Sequence, residues 1–249
     1  MIGLSSKPRP LLVVAHPGHE LRVHGWLERA RPRVAVLTDG SGGAAVSRLE
    51  ASRALVAQAG AEPTALFGVA PDRAFYGAIL EGDVAFFAGL VDRLRALVAA
   101  ERPTVLVSDA AEGFNPTHDL CHALTALVAR LTNLPHLDFP LEGPPDTPGA
   151  ALRLELDAEA HARKLARARA YSALAKDLQE ALDQHGAAAF AVECLHEARP
   201  GPAGKPYYET YGERMVAAGR YATVLRRAEH VAPLLGRVAA AVLEPAGVS

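Results

Sequence analysis

The feature that most constrains the fold is an alternation. Between residues 11 and 132, short runs rich in aliphatic and β-branched side chains take turns with longer segments at helical spacing. LLVVA at 11–15 and RVAVLT at 33–38 are the dense apolar runs expected of strands covered on both faces. PTALFGV at 63–69 is a weaker third strand and PTVLVS at 103–108 a clear fourth. Helical patterns fill the intervals at about 19–30, 46–60 and 82–101, the last with Phe86, Leu90, Leu94 and Leu97 on one stripe. Strands separated in this way predict a parallel α/β sheet.

Beyond residue 133 the pattern changes. The prolines of PHLDFPLEGPPDTPG forbid regular hydrogen bonding, so 133–150 reads as a loop. Asp157 can then cap one long helix running to Gly186, with Leu165, Tyr171, Leu174, Leu178 and Leu182 near one face. A strand at 189–195 follows, and the break ARPGPAGKP leads into a helical tail over 207–243. That tail carries Tyr207, Tyr208, Tyr211 and Tyr221, which suit either a lid over a crevice or a subunit interface in a homo-oligomer. The expectation is one domain over 1–249: an α/β, Rossmann-like three-layer sandwich with a mainly parallel sheet. Its core would be 8–132, and residues 151–249 would form an elaborated C-terminal half.

Composition excludes several classes of function. With 26 Lys+Arg against 28 Asp+Glu the chain has no basic field to collect phosphate backbones, so a general nucleic-acid binder is not expected. The Arg-rich stretch RKLARARA at 163–170 is offset by acidic neighbours and reads as a solvated helix face. Two cysteines, Cys121 and Cys194, are too few for a disulfide framework, and no apolar run approaches the roughly 18 residues of a membrane span. The expectation is a soluble cytoplasmic protein without a signal peptide.

Chemistry concentrates after two strands. The first runs into His16-Pro17-Gly18-His19-Glu20, and the fourth leads to Glu112-Gly113-Phe114-Asn115-Pro116-Thr117-His118-Asp119. Doubly wound sheets bind ligands outside the carboxyl ends of their strands, where strand order reverses, so both polar loops are candidates for that crevice. His16, His19 and His118 would there offer three imidazole nitrogens to one metal and leave a fourth position open, the arrangement of catalytic zinc sites. His122 shares a helix face with His118 and is an alternative third ligand, or else a packed residue. Cys121 reads as a small core residue, and His24 as helix surface or support. Asn115 suits the cap of a helix begun by Pro116, and equally an amide donor to an oxyanion.

The placement of AHPGHE after the first strand resembles the AHPDDE motif of the LmbE/PIG-L family of metal-dependent N-deacetylases, and NPTHD resembles that family's HPDH motif. LTDG at 37–40, Arg48 with Glu50, and the 164–171 stretch are similar too, so the resemblance covers most of the first 200 residues. It implies a zinc hydrolase that cleaves a linear amide bond, an N-deacetylase of an N-acetylglucosamine-type or other amino-sugar metabolite. His16 and His118 stand at ligand positions of the family, and His19 replaces the aspartate ligand. Gly18 stands where the family has its general base, while Asn115 and Thr117 replace the histidine and the acid before the last ligand. Asp119, Glu20 or Glu112 would then act as base, Asp119 and Glu20 being preferred, or the metal-activated water would need none. A third reading is a member that binds a metal or a sugar-like ligand without hydrolysis. The resemblance also places Asp39, Arg48 and Asp72 on a rim that meets the sugar, a small-molecule partner.

Overall fold

The structure is a computed structural model and describes residues 8–42 and 46–243. Its first half follows the alternation. Strand β1 (Pro10–Val14), helix α1 (His24–Ala30), strand β2 (Arg33–Thr38), helix α2 (Leu49–Gln58) and strand β3 (Glu62–Ala70) come first. Helices α3 (Asp72–Glu81) and α4 (Val84–Glu101), strand β4 (Val105–Asp109) and helix α5 (Pro116–Thr132) complete that half. Next come β5 (His136–Phe139), β6 (Leu152–Glu155), α6 (Ala158–Ala170), α7 (Ala175–His185) and β7 (Val192–Glu197). The chain closes with α8 (Tyr207–Ala217) and α9 (Ala232–Leu243).

The strands form one seven-stranded sheet in the order β3-β2-β1-β4-β5-β7-β6. The first five are parallel, and β7 pairs antiparallel with both β5 and β6. Successive side chains of β1 explain the layers. Leu11 and Val13 pack with Phe75, Phe87, Leu94, Leu124 and Leu234 on one face. Leu12 and Val14 pack with Trp26, Leu27 and Val56 on the other. The order reverses between β1 and β4, which opens a crevice beyond their carboxyl ends.

The caps fall where the residues demand them. Asn115 accepts the Thr117 N–H at 2.8 Å ahead of Pro116, and Asp157 accepts the Ala160 N–H at 2.8 Å. Four expectations need correction. Residues 133–150 contain β5, a four-residue strand enclosed by Pro135 and Pro140, whose prolines mask it in the sequence. The helix expected over 157–186 breaks at Tyr171, which leaves helical geometry (φ −82°, ψ 76°) to turn its ring inward. Its hydroxyl lies 3.1 Å from Ser52 Oγ and donates to the Arg48 carbonyl at 3.1 Å. The tail is two helices joined by an irregular segment. His24 is buried, not at the surface, and both its ring nitrogens lack a partner among the described residues.

One member of the Arg-rich stretch is buried as well. Lys164 donates to Glu193 Oε1 at 2.9 Å and to the Arg22 carbonyl at 2.8 Å. Glu193 in turn accepts the Gly25 and Trp26 N–H groups at 2.8 and 2.7 Å, so one carboxylate ties α6 and β7 to the start of α1. Among the described residues no helix is long and apolar enough to cross a membrane.

Candidate active site

The two polar loops meet at the crevice. After β1 the chain turns sharply at Gly18 (φ 107°), which sets His16 and His19 side by side. Pro116 starts α5 abruptly, which places His118 in its first turn. The three rings pack edge to face, with centroids 5.2 Å apart for His16 and His19, 5.1 Å for His16 and His118, and 4.5 Å for His19 and His118. Burial and the neighbouring imidazoles hold His19 and His118 well below the ordinary histidine range, so both rings are neutral at pH 7.

Carboxylates fix these rings from behind. His16 Nδ1 lies 2.7 Å from Thr38 Oγ1 and 2.9 Å from Asp72 Oδ1, and His19 Nδ1 lies 2.9 Å from Asp109 Oδ2. Burial opposes ionisation of Asp72, but the His16 ring and the N–H of Gly42, 2.5 Å away, hold its carboxyl below the usual range. Asp109 is fully buried, accepts the Ala15 N–H at 2.8 Å, and is pushed up to about 6 by that burial.

No group of three His, Cys, Asp or Glu side chains among the described residues has its donor atoms already gathered as a metal cage. The donor set nevertheless fits a divalent transition ion. His16 Nε2 is buried with no hydrogen-bond partner among the described residues, a costly state for a polar atom. Tying Nδ1 to a carboxylate is also how proteins orient a histidine that ligates through its other nitrogen.

The rings lie in the wall of a cavity of about 720 Å³. Arg48, Asp72, Tyr76 and Asn115 share that wall near the histidines, and Leu21, Leu141, Leu165, Leu174 and Leu178 give it apolar sides. Asn115 Oδ1 accepts from Thr117 N–H and, at 3.3 Å, from the Tyr76 hydroxyl, which leaves its NH₂ group as the free donor of the amide. Arg48 donates through Nε to the Gly40 carbonyl at 2.7 Å.

Other expected site residues lie elsewhere. Glu20 is fully buried, accepts the Gly18 N–H at 2.8 Å and the Ser52 hydroxyl, and is pushed up by burial. Asp119 accepts the Gly113 N–H at 2.9 Å and faces Arg227 at 3.4 Å. Glu112 accepts three N–H groups of the 141–143 loop at 2.7–3.0 Å. Asp39 closes a local turn on the Ser41 N–H at 2.9 Å. None of these four carboxylates is in the cavity wall, and each accepts from backbone N–H, hydroxyl or guanidinium donors. His122 packs against Asp138 at 3.1 Å, and Cys121 is a buried core residue.

Sequence reasoning missed Asp109 and Leu174. Asp109 has a legible signal, as the acid that ends a strand beside the switch point. Leu174 has none, because only the break at Tyr171 brings it over Gly18, where an added Cβ would overlap Leu174 Cδ1.

The architecture defines a class: an α/β chain with a mainly parallel sheet and a histidine-lined crevice at the reversal of strand order. No protein-family model and no curated protein sequence matches the chain. Solved structures do. The zinc-inhibited form of teicoplanin deacetylase Orf2 superposes with a TM-score of 0.51 at 12% identity, over 71% of this chain and 91% of that one. The A40926 pseudoaglycone deacetylase Dbv21 gives 0.50 at 17% identity, over 72% and 90% of the two chains. A deacetylase triple mutant of the teicoplanin biosynthetic pathway gives 0.50 at 14% identity, over 66% and 81%. At such identities the likeness is one of fold.

Proposed function

We propose that the chain is a metal-dependent amide hydrolase, an N-deacetylase of an amino-sugar-containing small molecule. The observation that carries this reading is the packing of His16, His19 and His118 at the β1/β4 switch point, with two of the rings anchored by Asp72 and Asp109. The resemblance in motif and the deacetylase names of the structural neighbours support it. The three histidines would hold the ion, and a zinc-type cation, when bound, supplies Lewis acidity toward an acyl carbonyl.

The remaining roles belong to the chain's own residues. Thr38 and Asp109 keep Nδ1 of His16 and His19 engaged, so Nε2 is the nitrogen each presents. The Asn115 NH₂, left free by the bonds from Thr117 and Tyr76 to its Oδ1, would donate to the oxygen that gains charge when the acyl carbon is attacked. Arg48 offers donors to sugar hydroxyls. Asp72 lies beside His16 and accepts the Gly42 N–H, and Glu20 and Asp119 act as framework acids.

A second reading, binding without hydrolysis, is favoured by one observation: Leu174 fills the space in front of Gly18, where the similar family has its base. Elemental analysis and an acetate-release assay with N-acetylglucosamine separate the readings. The hydrolase is expected to hold about one zinc per chain, lost with activity in His16→Ala/His118→Ala. Metal without acetate release from any N-acyl amino sugar leaves the binding reading, and protein that stays metal-free after zinc is added overturns the metal site.

A further inference from the structure

The side of the cavity formed by α7 and the loop after β5 carries charge of one sign. Glu142, in that loop, and Asp177 and Glu180, on α7, all line it. Of these acids only Glu180 has an ion-pair partner among the described residues, the exposed Lys176 at 3.5 Å. The cations of the cavity wall are committed elsewhere. Lys164 pairs with Glu193, Arg48 donates to the Gly40 carbonyl, and Arg22 donates to the carbonyls of Pro140 and Gly143.

The loop that presents Glu142 is tied down on three sides. Glu112 accepts its N–H groups, Arg22 holds its carbonyls, and His185 Nε2, from the end of α7, donates to the Glu142 carbonyl at 3.1 Å. Burial and the like charges of Glu112, Asp177 and Glu180 push the Glu142 carboxyl up to about 7, against the pull of Arg22. Acids gathered in a cleft without counter-charge cost stability, and such groups concentrate where a ligand is bound. The cavity is a ligand site on independent grounds, because its wall includes His16, 5% exposed, whose Nε2 has no partner among the described residues.

The occupant that fits the acids is an organic cation. A hard metal ion needs about six or more oxygens around it, and no three His, Cys, Asp or Glu groups among the described residues are gathered for one. A primary ammonium has three N–H donors to share between carboxylates of two elements. We infer that Glu142, Asp177 and Glu180 form a cation-binding wall that selects a substrate carrying a protonated amine in addition to its acylamide. The inference rests on the amino-sugar reading of the cavity and adds a charge to its substrate class.

Calorimetric titration of the full chain with two matched pairs of probes tests it. One pair is N-acetylglucosamine and its 6-amino-6-deoxy analogue; the other, without a sugar, is N-(4-hydroxybutyl)acetamide and N-acetylputrescine. Each pair exchanges one hydroxyl for an ammonium. The ammonium member is expected to bind about five- to tenfold more tightly at low salt. That ratio should shrink toward one at about 0.5 M salt, since the acids are partly exposed. Glu142→Gln/Asp177→Asn/Glu180→Gln is expected to bring the ratio to one at low salt as well. Asp183→Asn, which removes an acid of the same helix outside the cavity wall, is expected to keep it.

A ratio of one for both pairs in the wild type overturns the cation wall, and hydrolysis or binding of N-acetylglucosamine then leaves the amino-sugar reading standing. A ratio that survives the triple variant also overturns the wall. Binding of N-acetylputrescine through the three acids, with neither sugar bound, keeps the wall and overturns the amino-sugar reading. Binding of none of the four probes overturns both.

Discussion

At the residue scale, Gly18 carries the sharpest consequence. Its φ of 107° lies where L side chains are strained, and Leu174 occupies the space a Cβ would need. Gly18→Asp is therefore expected to destabilise the fold by about 2–4 kcal/mol, read as a lower urea midpoint. Adding Leu174→Ala should recover the part due to overlap and leave the part due to backbone strain. Full stability of the single variant would show that Leu174 moves aside freely. Asp109 gives a second prediction. Asp109→Asn keeps the shape but exchanges an acceptor for an ambiguous amide beside His19, and it should weaken zinc binding about 10- to 100-fold in a competition titration. Asp109 went unread in the sequence, though a polar residue at the end of a strand is legible. Its bond to His19, 90 residues away in the chain, is not.

At the scale of elements, the joint between α1, α6 and β7 depends on one buried ion pair. The side chains of Lys164 and Glu193 are only 4% and 1% exposed, and burial pulls the ammonium of Lys164 down. Lys164→Ala would leave the Glu193 carboxylate with its two N–H donors and no direct ion-pair partner. A loss of about 3 kcal/mol in chemical unfolding is expected, toward the low end for a broken buried pair because those donors remain. Lys164→Met/Glu193→Gln should lose less than the single variant, since no charge is then stranded. Solvated helix and buried anchor look alike in RKLARARA, because local charge balance carries no record of which face meets a sheet. The break at Tyr171 was hidden for a similar reason. The apolar spacing continues through it, and only Ser52 and the Arg48 carbonyl, supplied by another segment, reward the departure.

For the whole molecule, two half-buried groups tilt stability in opposite directions with pH. Burial, reinforced by the nearby His122, pulls His136 from 6.5 down to about 4. Between those values the unfolded chain binds the proton and the native one does not, so stability contributed at neutral pH is lost as pH falls from 6.5 toward 4. Replacing His136 by Gln should remove that slope, worth no more than about 3 kcal/mol, in urea midpoints taken across the range. Glu142 is the reverse case. Burial and the adjacent Glu112 push its carboxyl from 4.5 up to about 7, so the native state holds the proton longer and stability falls as pH rises through that interval. Glu142→Gln should match the wild type at pH 4.5 and exceed it at pH 8. A constant difference at both pH values would remove the assigned cause.

What the sequence determined by itself was everything governed by periodicity and local chemistry. The parallel sense of the first four strands, the Asn115 and Asp157 caps and the two polar loops at strand ends all follow from neighbours a few residues apart. The tertiary structure alone decided which polar groups are free. Glu20, Asp119, Glu112 and Asp39 look as available in the sequence as Asp72 and Asp109 do, yet backbone N–H groups and a hydroxyl claim the first four. Asp72 and Asp109 accept backbone N–H groups as well, from Gly42 and Ala15, and differ in also lying beside the imidazoles of His16 and His19. A carboxylate's role depends on which side chains the fold sets beside it, and the imidazoles beside Asp72 and Asp109 come from a segment that only the folded sheet brings within reach.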